Sequence, residues 1–241
     1  MKCCLVWLMA LPLLALPEAA FGVCNRPQPR LVRAEYSQSD AVVIAHLVKS
    51  QYIDPKDDQD YHLYSFQVEK ILRGSIANQF VLWEENSSGR LTFDMVRGRK
   101  YLLFLDRWAR KGWWVADGCG NSGAVSKVEK ALTEIQQIPS LQSAQITGDV
   151  EGPPAGAEVL VSRKKDGKQF KTRTRNNGTF SLYVPPDEYS VKVTAAGKSF
   201  VTDWLSYEHS DSVKLERGAC AQIQFVPSDA ADAGSAPNNQ R

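Results

Sequence analysis

Between residues 39 and 118, apolar and polar positions alternate in short blocks. The first, SDAVVIAHLVKSQYI (39–53), is rich in valine and isoleucine and long enough for a strand. In YHLYSFQVEKIL (61–72), Tyr64, Phe66 and Val68 fall on one face, with Ile71 near it, as in a strand with one buried side. QFVLWEE (79–85), RLTFDMV (90–96), RGRKYLLFLDRWA (97–109) and WWVADG (113–118) continue the series, separated by RGS, NSSG and RKG turns. Five or six such strands predict a closed or nearly closed antiparallel sheet, a small barrel.

After Gly123 the period changes. Val128, Ala131, Leu132 and Ile135 recur at helical spacing in SKVEKALTEIQQI (126–138). Ser126 and Glu129 have the spacing of a capping box, and Pro139 stops the helix. Beyond residue 144 the short strands resume, punctuated by DGK (166–168) and NNG (176–178). Seven strands with turns every eight to twelve residues predict a β-sandwich. The expected fold is therefore mainly β: a five-stranded barrel with a C-terminal helix, then a seven-stranded sandwich. Residues 23–139 form the first domain, 140–143 a linker and 144–227 the second domain. The tail, 228–241, has no aromatic residue and no apolar periodicity, and is expected to be disordered.

The first 22 residues change the compartment. Lys2, the apolar run CCLVWLMALPLLALP and small residues before Val23 have the pattern of a secretory signal peptide. The run is short of the roughly 20 apolar residues a span needs. A secreted or periplasmic location follows, where disulfides persist. Cys3 and Cys4 leave with the signal, and Cys24, Cys119 and Cys220 remain. An odd number leaves one thiol free, paired between chains or otherwise engaged. The net charge of +2, without long basic runs, argues against a nucleic-acid partner.

Candidate chemistry is sparse. CGNSGA around Ser122 has the look of a serine nucleophile segment, with His46 and Asp94 or Asp106 as conceivable partners. However, His46 and Ser122 must share one small barrel, and glycines 118, 120 and 123 suit tight turns. His46, His62 and His209 have no ligand spacing, and Asp54, Asp57, Asp58 and Asp60 lack the glycine and terminal glutamate of a calcium loop. No cofactor or metal is expected. Trp83, Trp108, Trp113 and Trp114 cluster in or beside the barrel. In a strand Trp113 and Trp114 point to opposite faces, one into the core and one outward, under the helix or exposed. Arg107, Arg110 and Lys111, joined by Arg97, Arg99 and Lys100, form a candidate basic patch.

AEYSQSDAVVIAHLV, YSFQVEKILRGS, GRKYLLFL and DGCGNSG, followed by a helix, resemble the netrin-like or tissue-inhibitor-of-metalloproteinase-like module, an OB-type barrel. That resemblance implies a disulfide between Cys24 and Cys119. It also implies, as one alternative, metalloprotease inhibition through the Cys24 edge. The zinc chelate of those inhibitors needs cysteine as the first mature residue, and cleavage before Val23 does not provide it. ITGDVEG, PPAGAEVLV, NNGTFSLYVPP and EYSVKVTAAG resemble the carboxypeptidase regulatory-like domain, a transthyretin-like sandwich. Cys220 sits at the start of its last strand, as a free thiol, an interchain thiol or a partner of the other two cysteines. The expected function is non-enzymatic recognition of a protein or glycan at the cell envelope, with Trp108, Trp113, Trp114, Arg107, Arg110 and Lys111 as the candidate surface. A serine hydrolase built on Ser122 is the remaining alternative. The oligomeric state is left open.

Overall fold

The computed structural model describes residues 30–54, 60–85, 95–108, 112–152, 155–195, 198–202 and 212–228. The signal segment, Cys24, Arg110, Lys111, His209 and all but the first residue of the tail lie outside them. So does most of RLTFDMV, of which only Met95 and Val96 are described, in a loop.

The N-terminal half is a closed five-stranded barrel. Its strands are β1 (Ala41–Ile53), β2 (Tyr61–Gly74), β3 (Gln79–Glu85), β4 (Lys100–Trp108) and β5 (Trp113–Val115). They run in the order β1-β2-β3-β5-β4, and β4 pairs back onto β1. β3 and β5 are parallel and the other neighbours antiparallel, a path that resembles an OB-type barrel. Three register shifts in β1 against β2 supply the coiling that closure demands. A short β6 (Gly123–Ala124) adds to β4.

Alternation fills the barrel. Ala41, Val43, Ala45 and Leu47 of β1 meet Phe66, Leu82, Leu103 and Trp114 from the other strands. The opposite faces of β1 and β4 are also apolar, and Val42, Leu102 and Phe104 lie under α2 (Glu129–Gln137) through Ala131 and Ile135. Burial on both faces is why AVVIAHLV and YLLFL read as continuous apolar runs. Helix α2 starts three residues later than expected. Ser126 lies in a 3₁₀ turn, Val125–Lys127, and no side chain caps Val128. Pairing of Gly123–Ala124 with β4 leaves too little chain for Ser126 to serve as the cap.

The C-terminal part departs from the expected seven strands. Among the described residues it has eight: β7 (Ala144–Val150), β8 (Glu158–Arg163), β9 (Gln169–Arg173), β10 (Thr179–Val184), β11 (Asp187–Ala195), β12 (Lys198–Thr202), β13 (Val213–Leu215) and β14 (Cys220–Pro227). They make two four-stranded sheets, β10-β7-β14-β12 and β13-β11-β8-β9. The additional strand is β12, KSFVT. Its first two residues pair with β11 and its last three with β14, so it joins the sheets rather than belonging cleanly to one. The core between them holds Ile146, Val159, Val161, Phe180, Tyr189 and Phe225. The buried Tyr189 hydroxyl donates to the Pro185 carbonyl at 2.7 Å. Gly148 lies where β7 and β14 run parallel, and a Cβ there would overlap the Ile223 carbonyl.

Helix α1 (Val32–Gln38) connects the two parts. On one side, Arg33 Nη2 donates to the Gly218 carbonyl at 2.9 Å and Nη1 to Gln145 Oε1 at 3.0 Å. The Cys220 amide donates to Ser37 Oγ at 3.0 Å, and the Leu31 amide to Gln222 Oε1 at 2.9 Å. On the other side, Tyr36 donates to the Leu72 carbonyl at the end of β2, 2.7 Å away. Gly218 has φ of 74°, and a Cβ there would sit 2.6 Å from the Ile138 carbonyl, so glycine alone fits between α1 and the turn after α2.

Among the described residues, the expectation of a disulfide bond is corrected. No disulfide joins two described residues. Cys220 is a free thiol, 1% exposed under α1, where burial pushes its pKa up to about 11. Cys119 is not a free thiol, but it has no cysteine partner among the described residues. The physical reason on the Cys220 side is packing: its sulfur is enclosed, so it staples nothing to the barrel.

One polar group in β14 carries a cost. Gln224 is 1% exposed, and among the described residues both polar atoms of its amide lack a hydrogen-bond partner. Replacing it with an apolar residue of similar shape removes the desolvation penalty. Gln224→Met is expected to raise the stability to urea by about 1–2 kcal/mol. An unchanged or lower midpoint would mean the amide is satisfied by ordered water.

Candidate binding face and the turn after the barrel

Trp113 and Trp114 divide between the two faces of β5. Trp114 points into the barrel and is 7% exposed. The Arg107 guanidinium, opposite it on β4, lies 5.1 Å from its ring centroid and covers the barrel end. Trp113 points outward and is half-buried. The helix does not cover it, because α2 packs on β1 and β4. Instead its ring centroid lies 6.0 Å from that of Tyr61 on β2, which is 6.2 Å from Trp83 on β3. Three aromatic rings from three neighbouring strands thus share one outer face. The backbone register places Trp108 opposite Trp113.

The basic patch separates. Arg97, Arg99 and Lys100 lie at the start of β4 and Arg107 near its end, roughly 23 Å away along an extended strand. Lys100 is committed to Glu69 at 2.7 Å, which also bonds His46 Nε2 at 2.7 Å. Arg107 lies against Trp114 at the barrel end rather than on the outer aromatic face, while Arg110 and Lys111 lie outside the described residues.

At the barrel end, a polar relay lies among the aromatic side chains. Tyr64 donates to Glu84 Oε2 at 2.9 Å, and His62 Nδ1 lies 2.8 Å from the same hydroxyl. The hydroxyl has one proton, so Nδ1 carries its own and donates it. Burial, then the Glu84 charge, pushes the Tyr64 hydroxyl far above its ordinary pKa. It therefore stays a donor.

The triad atoms do not converge. Ser122 Oγ accepts the Phe104 amide at 2.9 Å, extending the β6–β4 ladder by one step. His46 lies opposite Lys100, four residues along β4 from Phe104, roughly 13 Å away. Asp94 lies outside the described residues. Among the described residues no group of three or more His, Cys, Asp or Glu is placed to hold a metal ion.

The DGCGNSG turn is organised by the Glu35 carboxylate of α1 and by its own first residue, Asp117. Glu35 of α1 is 5% exposed and accepts the Asn121 amide at 2.7 Å and its Nδ2 at 2.6 Å. A Cβ on Gly120 would overlap the Glu35 carboxylate, so a larger residue there would have to displace it. Asp117 accepts the Cys119 amide at 2.8 Å and pairs with Arg30 at 2.7 Å. Asp106 lies nearby on β4. Burial pushes its pKa up to about 6, and the charges of Asp40 and Asp117 add to this against Arg30 and the Asp40 amide. Sequence reasoning missed Glu35, Tyr61 and the Tyr64–Glu84 relay. Strand parity in β2 carries a signal for Tyr61, since it shares no face with Tyr64 and Phe66.

No family model matches the chain, and no curated protein matches it. Among solved structures it is similar to the Bacillus anthracis TIE protein, with 11% identity and a TM-score of 0.27, covering 78% of this chain and 34% of that one. The chain thus spans about a third of that protein's length. No helix among the described residues is long and apolar enough to cross a membrane.

The raised pKa of Asp106 gives a signed prediction. A carboxylate whose folded pKa lies above its unfolded value stabilises the fold below the unfolded pKa, and loses that contribution as pH rises through the folded value. For Asp106 this window runs from about 4 to above about 6. Asp106→Asn, which keeps the acceptor for the Asp40 amide, is expected to match the parent at pH 4. At pH 7.5 it should be more stable by on the order of 1–2 kcal/mol. A stability difference that does not vary with pH would contradict this environment for Asp106.

Proposed function

We propose that the chain is an exported, non-enzymatic recognition module that binds a glycan or protein of the cell envelope through the outer β2-β3-β5 face of its barrel. Residues 23–139 then act as a netrin-like or metalloproteinase-inhibitor-like OB-type domain, and 144–227 as a carboxypeptidase regulatory-like domain. One observation carries the reading: Tyr61, Trp83 and Trp113 lie together on that face. OB-type barrels bind oligosaccharides and oligonucleotides on the strand 2–3 face, beside the loops after strands 1 and 4. The signal-like N-terminus favours the envelope, where glycans and proteins are the available partners. Half-buried aromatic rings suit both, since they present rigid apolar area at low entropic cost. The inhibitor alternative rests on Cys24, outside the described residues, and nothing at the barrel edge favours it over the aromatic face. The hydrolase alternative loses its nucleophile to the β6–β4 ladder.

The expected outcome is a ligand selected from immobilised envelope glycans and envelope proteins whose affinity falls at least about tenfold with Trp113→Ala. Circular dichroism should be unchanged, because Trp113 is outside the barrel core. Unaltered affinity in both Trp113→Ala and Tyr61→Ala would refute this face as the binding surface.

A further inference from the structure

The crossing of β12 leaves an opening between the two C-terminal sheets. On one edge, β11 pairs with β13 through Asp187–Tyr189 and with β12 through Thr194–Ala195. Between them, Ser190–Val193 has no partner strand on that edge among the described residues. A groove of about 500 Å³ opens here, within the range of small-molecule sites. Its depth is apolar: Tyr189, Ile223 and Phe225 belong to the buried core, while Val191, Phe200 and Val213 are only partly covered. Among the described residues the core is thus left half-open along this groove.

The rim is basic. Lys164 and Lys192 both line the groove and are exposed. Neither forms an ion pair among the described residues, while the neighbouring acids are engaged. Asp187 pairs with Lys165 at 2.8 Å, Asp166 pairs with Arg163, and Glu188 accepts the Ser212 hydroxyl at 2.7 Å. The Lys164 amide bonds the Glu188 carbonyl at 2.8 Å, which anchors that lysine beside β11. An apolar slot under two lysines that pair with no described acid matches a ligand with an alkyl chain and one anionic end.

We propose that this groove binds a single-chain amphipathic anion of the fatty-carboxylate class. The alkyl chain lies against Val191, Phe200 and Phe225, and the carboxylate meets Lys164 and Lys192 at the rim. This site is separate from the barrel face and does not depend on it.

The test is a fluorescence titration of the full chain with dansylaminoundecanoic acid, followed by displacement with unlabelled carboxylates from octanoate to tetradecanoate and with dodecanol. Saturable one-to-one binding is expected, tightening about fourfold per added methylene until the groove is full. Dodecanol should compete at least about tenfold more weakly than dodecanoate. The double variant Lys164→Glu/Lys192→Glu, altered only at exposed positions, should lose at least about tenfold in affinity with an unchanged melting temperature. Val191→Trp should abolish binding by filling the slot, and Trp113→Ala should leave it intact. Absence of binding, equal competition by alcohol and carboxylate, or indifference to the lysine reversal would each overturn the assignment.

Discussion

The carboxylate of Glu35 is the contact on which the arrangement of this chain turns. It is nearly fully buried, so desolvation opposes its charge and raises its pKa. The opposing terms come from the amide and side chain of Asn121, with the Arg30 charge adding to them. Helix α1 is seven residues long, too short to hold its shape alone. It exists because of what it touches: Asn121 through Glu35, β2 through Tyr36, and the start of β14 through Arg33 and Ser37. A short helix thereby couples the turn after the barrel to the C-terminal sheets.

This coupling also determines which barrel surface is left for binding. Helices α1 and α2 take the apolar outer face of β1 and β4, where Val42, Leu102 and Phe104 require cover. The β2-β3-β5 side lies outside that helical cover, and there the outward alternation brings Tyr61, Trp83 and Trp113 together. The same alternation sends Trp114 inward and leaves Arg107 against its ring at the barrel end. The face is therefore a consequence of closing the barrel and covering one side of it.

Much of this was legible in the residues, and the failures have physical causes. Period-two alternation in β2 and the split of Trp113 from Trp114 follow directly from the pleat, and the helical spacing of Val128, Ala131 and Ile135 located α2. Strand β12 was missed because KSFVT divides its pairing between two sheets, so neither face shows a clean alternation. The basic residues looked like one patch because 97–100 and 107–111 are close in sequence, but strand β4 carries Arg107 to the end opposite 97–100. Ser126 had the spacing of a cap, yet strand pairing two residues earlier took precedence. Glu35 was invisible: its partner is 86 residues away, and no local pattern distinguishes a carboxylate that will be buried from one that stays wet.

The most direct measure of the central claim is amide hydrogen exchange, compared between the parent chain and Glu35→Ala under native conditions. If α1 is the shared tie, loss of the Glu35 contact will speed exchange in residues 117–122 and, through Arg33 and Ser37, at the start of β14 around Cys220. The barrel strands β2 and β3 should remain protected. Faster exchange confined to 117–122, with β14 unchanged, would contradict the account and leave α1 as a local brace of the barrel turn.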